Sequence, residues 1–219
     1  MDFEDQRREL VGRLVSAGYV EGEDVIKAML AVPREEFLPG DRRSKAYIDS
    51  PLPIGFGQTI SAPHMVAIMS SKLKPPLNPA DAVKILEIGT GSGYQAAVLA
   101  ELYPKAMIVS IERVAELVPF ARDNLGRCGY EKVEVVGGDG TLGHPESAPY
   151  DIIIVTAGSP KIPDSLLDQL AEGGRLLIPV GSQFHQELVA VDRVGGNLRE
   201  SHLGGCVFVP LVGEEGWGD

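Results

Sequence analysis

The residues with the clearest chemical use lie in a glycine-rich turn and directly before it. Gly89, Gly91 and Gly93 follow the apolar run Lys84–Ile88 at the spacing G-x-G-x-G. A turn of this kind after a strand leaves backbone N–H groups at a helix N-terminus, where open α/β sheets bind ligands. Glu87 precedes the first glycine by two positions, and a carboxylate there suits a cation better than a pyrophosphate. The turn therefore predicts a site for a cationic ligand, the alternative being an ordinary tight strand–helix connection.

Two further acidic residues follow predicted strands downstream of the turn. Glu112 lies about twenty residues beyond it, where an acid commonly binds ribose hydroxyls, although a solvated carboxylate is the alternative. Asp139 could accept a hydrogen bond from an adenine amino group, or could simply form an Asp-Gly turn. Tyr94 stands where the dinucleotide fingerprint G-x-G-x-x-G requires its third glycine. An adenosine ligand with a fixed positive charge is therefore favoured over NAD, and S-adenosylmethionine is the familiar cofactor that fits.

A second group of polar side chains precedes a helix predicted over residues 62–73. Ser61 is placed to be its N-cap, and Pro63 falls in the first turn, where a missing N–H costs little. The hydroxyls of Thr59 and Ser61, together with this helix N-terminus, can hold a carboxylate, and the alternative is that Ser61 only caps the helix. Residues 47–69 are predicted to form a long irregular loop, and such loops are more often functional than accidental.

The hydrophobic pattern alternates between strands and helices, so the strands that end in these residues should form one sheet. Predicted strands cover residues 84–88, 107–112, 133–136, 150–155 and 175–180, and an antiparallel hairpin covers 187–194 and 198–209. Predicted helices cover residues 2–17, 23–32, 95–102, 114–125 and 164–170, the last capped by Asp164. This order predicts a doubly wound α/β fold: a mostly parallel central sheet with helices on both faces, an N-terminal helical layer and the C-terminal hairpin. We expect a single domain, residues 1–219. The helical layer and the substrate loop should occupy residues 1–80, and the cofactor-binding Rossmann-like core residues 81–219. The boundary between them falls in a proline-rich connector at residues 74–81.

The composition excludes several classes of function. The chain has 219 residues, a formal net charge of −11, two Cys and four His. The negative charge argues against a nucleic-acid partner, whose binding depends on Lys and Arg. No apolar run approaches the ~20 residues of a transmembrane helix, and the N-terminus is too acidic and polar for a signal peptide. The cysteines make no disulfide framework and the histidines lack metal-ligand spacing. We therefore expect a cytoplasmic protein without a metal or a membrane partner, and we expect a monomer.

The same residues carry a resemblance to a known family. LEIGTGSGY, SIE, GDG, YDIIIV and LAEGGRLLIPVG, taken in order, resemble the core of class I S-adenosylmethionine-dependent methyltransferases. PREEFLP and AYIDSPLPIGFGQTISAPHMVAIM are more specific and are similar to the protein-L-isoaspartate O-methyltransferases. The resemblance covers residues 32–212. It implies methyl transfer from S-adenosylmethionine to the α-carboxylate of L-isoaspartyl residues in damaged proteins and peptides, with S-adenosylhomocysteine as product. The methyl ester would then close to a succinimide, which partly reopens to normal aspartate.

The resemblance also implies roles for individual positions. The cofactor-binding residues would be His64, Glu87, Gly89, Thr90, Gly91, Glu112, Asp139 and Gly140. Ser61 would be the catalytic residue, and the isoaspartyl substrate would be bordered by Thr59, Ile60, Ser61 and Val212. Val212 stands where related members often carry Thr. The tail over residues 210–217 loosely resembles a substrate flap of the family.

The predicted nucleophile needs no strong base. A carboxyl group with a pKa of about 4 is already ionised at pH 7, so Ser61 is predicted to orient the carboxylate rather than to deprotonate it. Three alternatives remain open. A methyltransferase acting on nitrogen often carries an Asn/Asp-Pro-Pro-aromatic motif, which residues 156–160 lack. A nicotinamide dehydrogenase is disfavoured by Tyr94, and a non-catalytic binding module is disfavoured by the presence of Glu87, Glu112 and Ser61.

Overall fold

The computed structural model describes residues 2–73 and 83–218. The predicted connector at 74–81 lies outside the described residues, as does the expected boundary between the helical layer and the core. Before the gap the chain forms helix α1 (Phe3–Ser16), helix α2 (Glu23–Ala31), two 3-10 helices (Arg34–Phe37 and Gly40–Lys45), strand β1 (Leu52–Gly55), strand β2 (Gln58–Ile60) and helix α3 (Pro63–Lys72). The predicted helices at 2–17 and 23–32 are thus confirmed. Asp2 caps the first of them, because its Oδ1 accepts the N–H of Asp5 at 2.8 Å.

After the gap, strands and helices alternate in the predicted order. The strands are β3 (Lys84–Ile88), β4 (Met107–Glu112), β5 (Glu134–Gly137), β6 (Tyr150–Val155), β7 (Leu170–Gly181), β8 (Gln186–Val194) and β9 (Asn197–Cys206). The helices are α4 (Tyr94–Leu102), α5 (Leu117–Arg127) and α6 (Asp164–Asp168).

Strands β3–β9 form a seven-stranded mixed sheet in the order β5-β4-β3-β6-β7-β8-β9. The strands from β5 to β7 in this order pair in parallel, and β7, β8 and β9 pair antiparallel. The chain runs outward from β3 through β4 and β5 and then returns to β6 on the other side of β3. Open α/β sheets bind ligands outside the carboxyl ends of the strands at such a reversal. The predicted doubly wound fold with a C-terminal antiparallel hairpin is confirmed.

Apolar side chains cover both faces of the sheet. Successive residues of β3 point to opposite faces, so Ile85 packs in one hydrophobic cluster and Leu86 in another. The first cluster includes side chains of α1–α5, among them Leu10 and Met29, and the second includes Leu166 of α6. The N-terminal layer therefore shares its hydrophobic interior with one face of the sheet. Full burial of such a Leu or Ile contributes about 1.5–3 kcal/mol, which fixes the layer on that face of the sheet.

The predicted irregular loop over residues 47–69 is wrong in part, because β1 and β2 form an antiparallel hairpin inside it. Phe56 and Gly57 make its two-residue turn with φ values of +54° and +72°, as a type I′ hairpin turn requires. The side chain of Ile54, in β1 of this hairpin, is buried. Pro53 lies within β1, where a proline is tolerated because the two-stranded sheet has only edge strands. The segment before Ser61 is therefore held by strand pairing.

Several element boundaries also differ from the prediction. Helix α5 begins at Leu117 rather than at residue 114. Pro163, not Asp164, is the N-cap of α6, and Asp164 is its first helical residue, where a negative charge still favours the helix dipole. Strand β7 begins at Leu170 because that residue already pairs with β6, and β9 ends at Cys206 rather than at residue 209.

Candidate functional site

A cavity opens at the carboxyl ends of β3, β4 and β6. It encloses about 850 Å³ including its open mouth. Its walls are formed largely by residues 58–61, 88–92, 111–114 and 209–212, together with Gly140 and Thr156. The glycine-rich turn and the segment that carries Ser61 therefore face the same space, as a transfer between two bound ligands requires.

Most of the predicted site residues line this cavity. They are Thr59, Ile60, Ser61, Gly89, Thr90, Gly91, Glu112, Gly140 and Val212. The side chains of His64, Glu87 and Asp139 are not part of the lining. The structure thus brings the predicted cofactor turn and the predicted substrate residues together, while the individual roles of these residues remain predictions.

The glycines of the turn have backbone angles that favour glycine. The φ angles are +92° at Gly89, +56° at Gly91 and +88° at Gly93. A Cβ atom at Gly89 would stand 2.6 Å from Oγ1 of Thr156, and one at Gly93 would stand 3.0 Å from Cγ of Leu125. The turn therefore needs glycine both for its conformation and for its close approach to the end of β6 and to α5.

Several N–H groups of the turn are already occupied. Those of Gly89 and Thr90 both donate to the carbonyl of Ile111, at 2.9 and 3.2 Å, and that of Gly91 donates to Oε2 of Glu112 at 2.7 Å. The prediction that the turn leaves its N–H groups free is wrong for these three residues. A turn that uses its donors internally is a poor cradle for a pyrophosphate. The arrangement therefore favours a cationic adenosine ligand over a dinucleotide.

Glu112 ends β4 in the wall of the cavity. Its Oε2 accepts the N–H of Gly91 and its Oε1 accepts the N–H of Val114 at 2.8 Å, so the carboxylate is held in one orientation. Each oxygen of a carboxylate keeps a further lone pair beyond one such bond. Glu112 can therefore accept hydrogen bonds from a pair of ribose hydroxyls, as the sequence predicts.

Glu87 is buried beneath the turn and is connected to the cavity indirectly. Its Oε2 accepts a hydrogen bond from Oγ of Ser110 at 2.5 Å, and that hydroxyl lies 2.6 Å from Oγ1 of Thr90 in the cavity wall. Its Oε1 is buried without a partner among the described residues. Burial raises the pKa of Glu87 to about 8, against the opposing effect of the Ser110 hydrogen bond. The sequence analysis missed Ser110, although it is the register partner of Glu87 in the parallel pair β3–β4.

Ser61 lies in the cavity wall but does not cap α3, so that prediction is wrong. Ala62 is the N-cap, no side chain of the cap accepts an N–H, and Pro63 is the first helical residue. Because Pro63 has no N–H to offer, the first donor of the helix is that of His64, and it goes to Oδ1 of Asp49 at 2.9 Å. The hydroxyl of Ser61 has no hydrogen-bond partner in the described part of the chain, so it is available to a ligand.

His64 is held in the N-terminal layer. Its Nδ1 lies 2.9 Å from Oδ1 of Asp49, and its ring packs against Tyr19 with 5.5 Å between the ring centroids. The structure does not bring this side chain into the cavity lining. Contact of His64 with the cofactor therefore remains a prediction from the resemblance alone.

A buried arginine that the sequence analysis did not single out supports the wall around Ser61. Arg34 is fully buried, and it donates from Nε to the carbonyl of Ala46 at 2.9 Å and from Nη2 to the carbonyl of Ser61 at 2.8 Å. Its Cζ lies 4.9 Å from the centroid of the Tyr94 ring, which also lines the cavity. Burial lowers the pKa of Arg34, but a guanidinium remains protonated in proteins. The one sequence signal was an arginine within the short proline-bounded segment PREEFLP.

The Asp139 carboxylate is shared between its own turn and the C-terminal tail. Oδ1 accepts the N–H and the hydroxyl of Thr141 at 2.9 and 2.7 Å, and Oδ2 accepts the N–H of Glu214 at 2.8 Å. Burial works to raise the pKa of Asp139, but these hydrogen bonds hold it below its ordinary value. An adenine amino group would therefore be an additional donor to an occupied carboxylate. The neighbouring Gly140 does line the cavity, and a Cβ atom there would lie 2.4 Å from Cγ2 of Ile88.

The tail is fastened beyond Asp139 as well. The Glu215 carboxylate accepts the N–H and the hydroxyl of Ser165 at 3.0 and 2.7 Å. Nε1 of Trp217 donates to the carbonyl of Gly158 at 2.9 Å, and Trp217 forms a bridge with Val212. These contacts hold Val212 at the cavity, where the predicted substrate would lie.

Neither a metal centre nor a membrane span is found in the part of the chain that the structure describes. Among residues 2–73 and 83–218, no group of three or more His, Cys, Asp or Glu side chains is arranged to hold a metal ion. Over the same residues, no helix combines the length and the apolar character needed to cross a bilayer.

Comparison with known proteins gives consistent matches over nearly the whole chain. The family described as Protein-L-isoaspartate(D-aspartate) O-methyltransferase (PCMT) matches residues 5–216. A protein-L-isoaspartate O-methyltransferase of Methanopyrus kandleri is 54% identical over 98% of this chain and 95% of its own length. A protein of the same description from Pyrococcus abyssi is 48% identical over 99% of both chains.

Solved structures agree with these matches. A chain described as a protein-L-isoaspartate O-methyltransferase of Plasmodium falciparum, solved in complex with S-adenosyl-L-homocysteine, superposes with a TM-score of 0.82 at 28% identity and covers 94% of this chain and 98% of its own. A second protein-L-isoaspartate O-methyltransferase superposes with a TM-score of 0.85 at 32% identity, covering 96% of this chain and 67% of its own.

Proposed function

The chain belongs to the protein-L-isoaspartate(D-aspartate) O-methyltransferase family, and we propose that it transfers a methyl group from S-adenosylmethionine to the α-carboxylate of L-isoaspartyl residues in damaged proteins and peptides. The resulting ester closes to a succinimide, which begins repair. The observation that carries the proposal is a cavity in which the glycine-rich turn and Glu112 face the free hydroxyl of Ser61.

The residues at the turn fit this cofactor. Gly89, Thr90 and Gly91 leave room for the cofactor at the end of β3, and Glu112 keeps lone pairs for its ribose hydroxyls. Glu87 has one unpartnered buried oxygen and is linked to the cavity wall through Ser110 and Thr90, and a bound sulfonium would favour ionisation of its carboxyl group. When bound, S-adenosylmethionine supplies a methyl group activated by the sulfonium, and S-adenosylhomocysteine is its product.

The adenine end of the cofactor is assigned to the corner between β5 and the tail. Gly140 lines the cavity there, and Asp139 lies next to it with its oxygens turned to Thr141 and Glu214. We assign Asp139 to this end through the one lone pair of Oδ2 that these hydrogen bonds leave unused. His64 lies at the N-terminus of α3 outside the cavity lining, and its assignment to the cofactor set rests on the resemblance.

The substrate side acts on an ionised nucleophile. An isoaspartyl carboxylate carries its negative charge at pH 7, so Ser61 needs only to orient it by donating from Oγ. Thr59 and Ile60 lie beside Ser61 in the wall, and Val212 borders the cavity from the tail. Fixing the carboxylate in line with the methyl group, and excluding water, would supply most of the rate.

The substrate is proposed to be protein and not nucleic acid, since the net charge of −11 opposes a polyanionic partner. We place the enzyme in the cytoplasm as a monomer of one domain, 1–219. Its two cysteines, Cys128 and Cys206, are unpaired, which fits a reducing compartment.

The test is methyl transfer to paired peptides that differ only in Asp against isoAsp. Labelled methyl from S-adenosylmethionine should enter the isoaspartyl peptide in a base-labile form and leave the aspartyl peptide unlabelled. A third peptide with the isoaspartyl α-carboxylate converted to a carboxamide should also stay unlabelled, because it lacks the nucleophile. Equal labelling of the Asp and isoAsp peptides, or no labelling of either, would overturn the proposal.

A further inference from the structure

Arg34 is a buried cation without a carboxylate partner. No carboxylate in residues 2–73 and 83–218 lies within 4.0 Å of its guanidinium, and Nη1 has no hydrogen-bond partner there. The nearby acids are engaged elsewhere: Glu35 pairs with Arg7 at 3.5 Å, and Asp49 accepts from His64, although the Asp49 carboxylate still acts on the Arg34 charge from beyond 4.0 Å. Burying a charge without a counter-charge in direct contact is costly, so an anion close to this position would be favoured.

The guanidinium also fixes the orientation of one peptide group. It holds the carbonyl of Ser61 at 2.8 Å from Nη2. The peptide from Ser61 to Ala62 is trans, since the one cis bond among the described residues joins Ala148 to Pro149. In a trans peptide the C=O and N–H bonds point in opposite directions. The N–H of Ala62 is therefore turned away from Arg34.

That N–H has no acceptor. Ala62 is 5% exposed, and no atom in residues 2–73 and 83–218 accepts its N–H, although a buried amide normally has a partner. It lies one position after Ser61, whose hydroxyl is also without a partner and lines the cavity. Consecutive residues thus offer two unused neutral donors at the N-terminus of the ten-residue helix α3: the Ser61 hydroxyl in the cavity wall and the Ala62 N–H of the residue that follows it, which is not itself part of the lining.

We propose that Arg34 is a positioning residue for the substrate carboxylate: it holds the Ser61–Ala62 peptide so that the Ala62 N–H and the Ser61 hydroxyl both donate to the carboxylate, and its unpaired charge favours that anion from behind the wall. This inference rests on the proposed methylation of isoaspartyl carboxylates. Because the guanidinium does not contact the nucleophile, it favours binding of the carboxylate electrostatically without forming an ion pair with it. A direct ion pair would stabilise the reactant more than the transition state, in which the negative charge is being lost.

The experiment separates charge from structure with two ligands that differ only in charge. The KM is measured for an isoaspartyl peptide, and the inhibition constant is measured for the same peptide carrying an α-carboxamide. In Arg34→Gln, which keeps a donor but removes the charge, KM for the carboxylate should rise about tenfold to a hundredfold, as expected when a charge-assisted interaction is lost. The inhibition constant of the carboxamide should stay within about twofold. Arg34→Lys, which keeps the charge, should recover most of the KM.

A merely structural role gives a different result. It would raise the KM and the inhibition constant in parallel, and that outcome overturns the proposal, as does an unchanged KM in Arg34→Gln. Arg127→Gln is the matched control, because Arg127 also holds a carbonyl of the N-terminal layer, that of Glu36 at 3.0 Å, but lies outside the cavity lining. If Arg34→Gln fails to fold, Arg34→Lys decides by itself, since the proposal requires it to retain the preference for carboxylate over carboxamide. Wild type that does not methylate the isoaspartyl peptide would refute the proposed function, whereas active wild type with unaffected Arg34 variants refutes only this inference.

Discussion

The buried carboxyl group of Glu87 should make the stability of the cofactor-free protein depend on pH. Glu87 is 0% exposed, and among the described residues its single hydrogen bond is the one from Ser110. Burial raises its pKa from 4.5 to about 8. In the unfolded chain the same carboxyl group is solvated and ionises near its ordinary value. Between these two pH values, the folded protein therefore holds a proton that the unfolded chain releases.

The sign and the size of the effect follow from that difference. Because the unfolded chain binds fewer protons between about pH 4.5 and pH 8, the free energy of unfolding should fall as the pH rises through this window and should level off above it. The span is about 3.5 pKa units, the difference between 8 and 4.5, and each unit corresponds to ~1.4 kcal/mol. The total loss is on the order of 5 kcal/mol, a large share of the 5–15 kcal/mol by which native proteins are typically stable.

Urea unfolding without cofactor at about pH 5, 6, 7 and 8 measures this loss, with the pH range set by the linkage window. Glu87→Gln has no ionisable group at the position, so its free energy of unfolding should match that of wild type near pH 5 and exceed it by up to ~5 kcal/mol near pH 8. Glu134→Gln is the control, because Glu134 is exposed on β5 of the same sheet, and it should keep the pH dependence of wild type. Parallel curves for wild type and Glu87→Gln would refute the reasoning, since the carboxyl group would then ionise alike in both states.

Three further substitutions test the site. Ser61→Ala should lower kcat/KM for an isoaspartyl peptide about tenfold or more, because a hydrogen bond to a charged group is lost. The pH–rate profile of the variant should run parallel to that of wild type. A titrating limb that is present in wild type and absent in the variant would contradict an orienting role. Gly89→Ala places a methyl group 2.6 Å from Oγ1 of Thr156 at a φ of +92°. Calorimetry should therefore show at least about tenfold weaker binding of S-adenosylhomocysteine. Unchanged affinity would show that the close approach of Gly89 to Thr156 does not matter for the cofactor. Trp217→Phe removes the donor to the Gly158 carbonyl, so the free energy of unfolding should fall by about 1 kcal/mol. Proteases should also cleave the tail faster in this variant than in wild type. Equal cleavage rates would show that this hydrogen bond does not hold the tail in place.

The sheet and the location of the site could be predicted from the sequence because both depend on local patterns. Runs such as Tyr150–Val155 are apolar throughout, as buried parallel strands are, and the acids and glycines directly follow them. The carboxyl ends of parallel strands share one edge, so Gly89, Glu112 and Gly140 had to converge. The structure places all three in the wall of one cavity.

The connections within the site could not be predicted, because they depend on contacts between residues that are distant in sequence. Ser61 looked like a helix cap, but the donor it would have taken goes to Asp49, which the hairpin brings within 2.9 Å of His64. The glycine turn looked rich in free donors, but the Gly91 N–H is taken by Glu112, twenty-one positions later. Local sequence propensities predict neither of these two hydrogen bonds, since each depends on how the chain packs in three dimensions.

Two buried ionisable groups act on the cavity through different walls: Glu87, whose raised pKa keeps its carboxyl group protonated at neutral pH in the cofactor-free protein, and the Arg34 cation. Glu87 reaches it through Ser110 and Thr90, while Arg34 reaches it through the peptide that follows Ser61. A sulfonium and a carboxylate lose their charges together as the methyl group moves, so protein charges in direct contact with them would hold the reactants back. The Arg34 cation, one group behind the wall, aids substrate binding with less of that penalty, and a bound sulfonium would favour ionisation of Glu87. Because Glu87 concerns the cofactor and Arg34 the substrate, the effect of Arg34→Gln on peptide KM should be the same, within about 0.5 kcal/mol, whether position 87 carries Glu or Gln. A larger coupling in this double-mutant cycle would mean that the two buried groups act on one ligand, and the division of the cavity into a cofactor side and a substrate side would have to be abandoned.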